Sequence, residues 1–281
     1  MFREKFIGLY KKAGFDPYEA STEVDFLLEV VAFLSSKDIL LGKTPSEEEQ
    51  KKIIECVEKR VITFAPIQHI VGQAYFMGDL FLVDETTLVP RPETEILVQE
   101  AISIAKKFDA KKVLDIGSGS GCIAIEIAKN CPTLGVDSVD ISEGALNVAR
   151  QNANRHGVFD RVRFYSSDVF ADVEGKFDLI VSNPPYIPLR DKETLQKEVR
   201  DFEPAGALFA DDEEGVGFYK RIIEGSIQYL YDGGWMIFEL GINQVSLVEK
   251  MFKDNLFENI VIVYDLDGIA RVIMASKATK T

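Results

Sequence analysis

Apolar residues in the first quarter of the chain recur at intervals of three and four. In "VDFLLEVVAFLS" and "EEEQKKIIECVEKRVI" they form one stripe with a polar face opposite, which predicts amphipathic helices. Asp16-Pro17, Gly42 and the run "KTPSEEE" punctuate these segments, and Ser46 followed by carboxylates marks a helix start. A helical domain over residues 1–73 is expected. In "AYFMGDLFLVDETTLVPR", residues 74–91, the rhythm changes to short β-type runs around Gly78-Asp79, predicting a hairpin linker. A third region, residues 92–281, opens with an amphipathic helix in "ETEILVQEAISIAKKF". Apolar strands in "KKVLDIG", "GVDSVDIS", "VRFYSSD" and "FDLIVSN" follow, with helices between the first three. Strands alternating with helices predict βαβ units and a parallel sheet. Farther on, "GVGFYKRIIEGSIQYLYDGG" reads as a helix ending at Gly233-Gly234, "WMIFELG" as a strand with Trp235 in the core, and "QVSLVEKMFKDN" as a helix. The last two strands flank Asp267-Gly268, and a tight turn makes them antiparallel. The expected fold is therefore α/β, a mostly parallel sheet closed by an antiparallel C-terminal hairpin, preceded by a small helical domain.

Composition narrows the function more than the fold. With 46 acidic against 32 basic residues, the net charge of −14 argues against a protein whose main work is gripping phosphate backbones. Cys56, Cys122 and Cys131 are too few and too scattered for a disulfide framework or a zinc cluster, and no metal site is expected. The absence of any long uncharged apolar run predicts a soluble, cytoplasmic protein with no membrane partner.

The candidate chemistry lies at the strand ends. In "VLDIGSGSGCIAIEIA", Asp115 precedes Gly117, Gly119 and Gly121 at a strand-to-helix turn, where glycine lets backbone approach a ligand and the helix start offers free N–H groups. The spacing departs from the dinucleotide pattern, and no Walker lysine follows. The next strand ends in Asp140, placed to accept from both hydroxyls of a ribose, and the one after in Asp168, beside Val169, placed to accept from an adenine amino group. The series resembles the S-adenosylmethionine site of class I methyltransferases, with S-adenosylhomocysteine as product and a Rossmann-like sheet as scaffold.

"FDLIVSNPPYIPL" then stops a buried strand with Asn183, Pro184, Pro185 and Tyr186. A planar amino nitrogen is a poor methyl acceptor because its lone pair is delocalised. Acceptors placed around its NH2 group, here the Asn183 side-chain oxygen and the Pro184 carbonyl, hold the hydrogens and aim the lone pair. Proline stiffens the turn and Tyr186 can pack on a flat amide or base; the motif resembles that of methyltransferases acting on planar amino nitrogens, those of adenine, cytosine or a carboxamide. His69 and His156 are the only histidines, and neither is assigned as a base; His156 reads as a helix-terminus residue.

Two motifs together discriminate among these acceptors. Pro90-Arg91-Pro92-Glu93-Thr94-Glu95, one helix before the glycine loop, combined with "SNPPYIP", resembles the HemK/PrmC family, the protein-glutamine methyltransferases of peptide-chain release factors. The resemblance runs on through "EPAGAL" and "FELGINQ" to "YDLDGIARVIMA". It implies methyl transfer to the glutamine amide of the Gly-Gly-Gln loop in class-1 release factors. Asn183 and Pro184 would bind that amide with Pro185 and Tyr186 beside it, and Arg91 and Glu93 would stand on the rim. Gly117, Gly119, Asp140 and Asp168 would hold the cofactor, and the helical domain would dock the protein substrate. The rim run also reads simply as a proline-started helix with Glu93 and Glu95 at its N-terminus. Two features depart from the family pattern: "FADDEEGVGFY" replaces a glycine-rich run, and Ala270 precedes Arg271 where an acidic residue is more usual. Glu239 reads either as an edge carboxylate or as a loop organiser. A monomer without stable nucleic-acid binding is expected. The competing readings are a nucleic-acid amino-methyltransferase and a non-catalytic S-adenosylmethionine-binding protein.

Overall fold

A computed structural model of the chain describes residues 2–210 and 212–279, so Asp211 of the acidic run lies outside the described residues. Two compact units result: the chain up to Gln73 together with Gln196–Phe202, and Ala74–Leu195 with Glu203 onward.

The first unit holds helices α1 (Phe2–Lys12), α2 (Pro17–Ala32), α3 (Ser36–Leu40), α4 (Glu47–Thr63) and α5 (Ile67–Val71), and all but α3, which has no buried residue, turn apolar residues inward. Phe6, Tyr10, Val24, Leu27, Ile53 and Val57 close that core. Asp16 caps α2, and capping boxes at Ser35 and Ser46 start α3 and α4, satisfying the orphan N–H groups of each first turn. Arg60, only 1% exposed, is enclosed by carboxylates: its guanidinium reaches Glu19 at 2.8 Å, Glu23 at 2.8 Å and also Glu198. It donates further to the Phe64 carbonyl at 2.9 Å and lies 4.9 Å above the Phe15 ring. Removing one partner of a buried charge cluster leaves the others uncompensated. Arg60→Ala is therefore expected to destabilise this unit by about 3 kcal/mol or more, read as a lower urea midpoint than wild type; an unchanged midpoint would show that the cluster contributes little.

From Ala74 on, the second unit takes in the hairpin of β1 (Gln73–Phe76) and β2 (Asp79–Leu82). Met77 and Gly78 both have positive φ, 51° and 82°, the mirror-image turn that suits the twist of a two-residue hairpin loop. Phe76 and Phe81 are buried in the core of the sheet unit, and His156 stacks on Phe81 with ring centroids 4.4 Å apart.

The chain continues through α6 (Pro92–Lys107), β3 (Lys112–Ile116), α7 (Cys122–Asn130), β4 (Gly135–Asp140), α8 (Glu143–Arg155), β5 (Val162–Ser166) and β6 (Phe177–Ser182). A short excursion carries β7 (Ile187–Pro188), a 3-10 turn (Leu189–Thr194), α9 (Lys197–Phe202), α10 (Ala205–Leu208) and β8 (Phe209–Ala210). The fold ends with α11 (Gly217–Ser226), β9 (Leu230–Glu239), α12 (Val245–Asp254), β10 (Phe257–Tyr264) and β11 (Ala270–Lys277). Among the described residues the main sheet has seven strands in the order β10-β11-β9-β6-β3-β4-β5. Strands β9, β6, β3, β4 and β5 run parallel, and β11 pairs antiparallel with both neighbours.

Because side chains alternate along a strand, Val113 and Leu179 point to a core closed by α6, α7 and α8, while Leu114 and Ile180 point to one closed by α11 and α12. The order reverses at β3: the chain moves outward through β4 and β5, then returns to place β6 on the other side. Ligands in open α/β sheets bind at the carboxyl ends of strands at such a switch.

One element differs from the sequence expectation. The helix expected to reach Gly233-Gly234 stops at Ser226, and β9 already begins at Leu230. Leu230 is drawn into the sheet opposite Phe177, and the buried Lys277 amine donates to the Ile227 and Leu230 carbonyls at 2.8 and 2.9 Å. Trp235 is buried and stacks on Phe108.

Candidate active site

The loop after β3 turns sharply because Gly117, Gly119 and Gly121 have φ of 88°, 51° and 82°, values that side chains rarely tolerate. Its second glycine is tied to the next strand end, since the Gly119 N–H donates to Asp140 Oδ2 at 2.9 Å and the Ser142 N–H to Oδ1 at 2.9 Å. Both carboxylate oxygens are thereby oriented, with lone pairs left for a ligand. Asp168 is held by Arg221 at 2.8 Å. Val169 has φ of 57°, an outlier for a β-branched residue, and Ser167 stitches the bend by donating to the Val169 carbonyl at 3.1 Å.

The turn after β6 meets this loop. Register pairs Ile116 with Ser182, whose hydroxyl donates to the Ile116 carbonyl at 2.7 Å. A Cβ at Gly117 would stand 3.8 Å from the Asn183 carbonyl oxygen. Between loop and turn lies a cavity of about 670 Å³, lined by Gly117, Gly119, Asp140, Asp168 and Val169 on one side and Asn183, Pro184 and Pro185 on the other. Arg91 lines it as well, its guanidinium Nη2 donating to both oxygens of the buried Glu203 at 2.8 Å.

Four expected site residues do not line that cavity. Gly121 lies at the start of α7, where a Cβ would press on Ala149 at 3.0 Å. Asp115 is fully buried behind the loop, accepting from Ser138 at 2.7 Å through Oδ2, while Oδ1 has no hydrogen-bond partner among the described residues. Burial pushes its carboxyl up to about 7, opposed by the Ser138 bond. Glu93 faces Arg271 at 3.6 Å. Tyr186 is half-buried, and burial followed by the nearby Glu239 raises its hydroxyl pKa well above the ordinary phenol range.

The Methyltransferase small domain family matches residues 92–202. The release factor glutamine methyltransferase of Fusobacterium nucleatum is 41% identical over 242 residues, 85% of this chain and 68% of the relative. That of Clostridium botulinum is 34% identical across 96% of each chain. The chain belongs to the release factor glutamine methyltransferases. The chain also resembles the solved ribosomal protein L11 methylase of Lactobacillus delbrueckii subsp. bulgaricus, with a TM-score of 0.52 and 23% identity over 70% of this chain and 84% of that one, a likeness of fold. The architecture is that of a class I S-adenosylmethionine-dependent methyltransferase with an N-terminal helical unit.

Membership among the release factor glutamine methyltransferases implies S-adenosylmethionine as methyl source, and the side chains present fit that molecule. The cavity is lined by the carboxylates Asp140 and Asp168, while its arginines Arg91 and Arg221 are already engaged by Glu203 and Asp168. This donor set suits a cationic, hydroxyl-bearing ligand and offers little to a phosphate.

Of the residues that brace the Asn183 turn, sequence reasoning names Glu239, as an edge carboxylate or a loop organiser, and gives no bracing role to Thr94 or Gln244. Asn183 Nδ2 donates to Thr94 Oγ1 at 3.3 Å, and Thr94 Oγ1 donates to Glu239 Oε2 at 2.6 Å. Gln244 Nε2 donates to the Tyr186 carbonyl at 2.9 Å, and its Oε1 accepts from the Gly241 N–H at 3.1 Å. Thr94 stood inside a motif already singled out, but nothing local joins it to residue 239. The departing Ala270 opens β11, and the adjacent Arg271 is held by Asp265 at 2.7 Å.

Proposed function

We propose that the protein transfers a methyl group from S-adenosylmethionine to the side-chain amide nitrogen of the glutamine in the Gly-Gly-Gln loop of class-1 peptide-chain release factors. The observation that carries this reading is the shared cavity, in which the glycine loop and the Asn-Pro-Pro turn form facing walls. When bound, S-adenosylmethionine supplies an electrophilic methyl on a sulfonium centre.

Gly117 and Gly119 let backbone approach the cofactor, Asp140 accepts from its ribose hydroxyls, and Asp168 with Val169 takes the adenine. Asp115 braces the loop from behind by accepting from Ser138, and Gly121 lets α7 start close to Ala149. Asn183 Oδ1 and the Pro184 carbonyl accept from the two amide N–H groups, holding the nitrogen so that its lone pair faces the methyl. Pro185 and Tyr186 stiffen and flank that seat, and Arg91 and Glu93 border the entry. No histidine serves as base: His156 is packed on Phe81, and the proton leaves to water. The helical unit docks the protein substrate, and the enzyme works as a cytoplasmic monomer. Among the described residues no helix is long and apolar enough to cross a membrane.

Radiolabel from S-adenosylmethionine is expected on a class-1 release factor, absent from its Gly-Gly-Ala variant and absent from unmethylated DNA and RNA. Label on nucleic acid would keep the amine-holding cup and overturn the substrate. Bound cofactor with no label anywhere would overturn the catalytic reading.

A further inference from the structure

Glu239 ends β9 at 3% exposure, a carboxylate buried beside the Asn183 turn. Its Oε2 stands 2.6 Å from Thr94 Oγ1, and the other side-chain neighbour of that hydroxyl is Asn183 Nδ2 at 3.3 Å. A hydroxyl has one proton, and an ionised carboxylate only accepts. With its one O–H directed at Glu239 as a hydrogen-bond donor, the Thr94 oxygen presents only lone pairs to its other neighbour, so the group opposite must bring an N–H. The Asn183 amide has N–H on one side only, and that side is drawn to Thr94. Its Oδ1 is left facing the cavity that Asn183 lines.

From this we infer that Thr94 and Glu239 are positioning residues that set the orientation of the Asn183 amide, and with it the acceptor character of the methyl-acceptor seat. The inference rests on the reading of Asn183 given under Proposed function. Reversing the first proton reverses the chain. A protonated Glu239 donates to Thr94, the Thr94 hydroxyl turns to the Asn183 oxygen, and the amide then shows its NH2 group to an incoming NH2 group. Two donors facing each other cannot bond.

The ionisable groups around Glu239 come from several elements. Glu93 lies on α6, Arg271 on β11 and Tyr186 beyond β6, while the Tyr219 hydroxyl of α11 donates to the Glu239 carbonyl at 2.9 Å. Burial raises the Glu239 carboxyl to about 7, opposed by the Thr94 bond, reinforced by Glu93 and opposed again by Arg271 and Asn183. The required form is the ionised one, so the relay is set above that midpoint and lost as pH falls through it.

The test compares wild type, Thr94→Val, Thr94→Ser and Glu239→Gln for release-factor methylation across pH, for S-adenosylmethionine Kd, and by the side-chain 15N resonance of Asn183. Wild-type kcat is expected to fall on an acid limb with midpoint near 7, matched by the Asn183 resonance. Glu239→Gln should abolish both titrations. Thr94→Val should lower kcat by about tenfold or more with the cofactor Kd held, a displacement-type loss, and Thr94→Ser should restore most of it. Wild-type kcat in Thr94→Val, or an acid limb and resonance shift that persist in Glu239→Gln, would overturn the inference while leaving the proposed function standing. If Thr94→Val also loses the cofactor, the Glu239→Gln titrations decide. A wild-type protein that never labels the release factor removes the proposed function and this inference together.

Discussion

Asn183→Ala is expected to lower kcat for release-factor methylation by roughly 10²–10³-fold, the range typical of deleting one preorganised polar group at a reacting centre. The side-chain oxygen is lost, yet the turn is kept by Pro184, Pro185 and the backbone register of β6 with β3. Cofactor affinity should therefore stay within about threefold of wild type, because Asp140 and the glycine loop are tied to each other rather than to the Asn183 side chain. Single-turnover methylation and calorimetric cofactor binding on the same preparation separate the two quantities. A collapse of cofactor binding in Asn183→Ala would mean that this side chain chiefly serves the cofactor and that the amide-holding role is wrong.

The second large effect is expected at a residue with no chemistry of its own. Gly215 has φ of 73°, and a Cβ there would fall 2.2 Å from the Tyr186 carbonyl oxygen and 2.7 Å from Gln244 Nε2. The first contact is backbone and cannot swing aside. The second is the amide that donates to that same carbonyl at 2.9 Å. In Gly215→Ala the Asn-Pro-Pro-Tyr turn has to move, and a shift of about 1 Å at a reacting centre costs on the order of 10²-fold in rate. The left-handed backbone adds about 1 kcal/mol of strain, so the melting temperature should fall as well. The decisive comparison is kcat/KM for the release factor against cofactor Kd: a fall in the first with the second preserved places the damage in the turn. Wild-type kcat/KM in Gly215→Ala would show that the turn is not braced through Gly215.

Gly215 carries no local signal of its role. It belongs to "FADDEEGVGFY", which stands out only as a departure from the family pattern, and its contact with Tyr186 spans 29 positions of sequence. Thr94 and Glu239 are separated by 145 positions and meet because α6 packs over the sheet beside the end of β9. Glu198, within a segment that follows the Asn-Pro-Pro-Tyr turn, belongs with Arg60 and the helical unit, which the local pattern of "QKEVRDF" does not announce. The end of α11 differs from the local pattern for a related reason: "SIQYLY" continues a helical stripe, and only the pairing of Leu230 with Phe177 and the amine of Lys277 pull it into β9.

The sequence by itself determined the main types of element, the order in which they alternate, and which side chains stand at the strand ends. Those properties are local: periodicity separates helix from strand, glycines mark the loop after β3, and Asn-Pro-Pro-Tyr ends β6 wherever β6 sits. Only the tertiary structure decided that Asp115 lies behind the loop while Asp140 lines the cavity, that Val169 is bent to a positive φ, and that Thr94 and Glu239 stand behind Asn183. Each of these depends on which strands are neighbours and on their register, and β6 lies between β3 and β9 because apolar faces distant in sequence share one core.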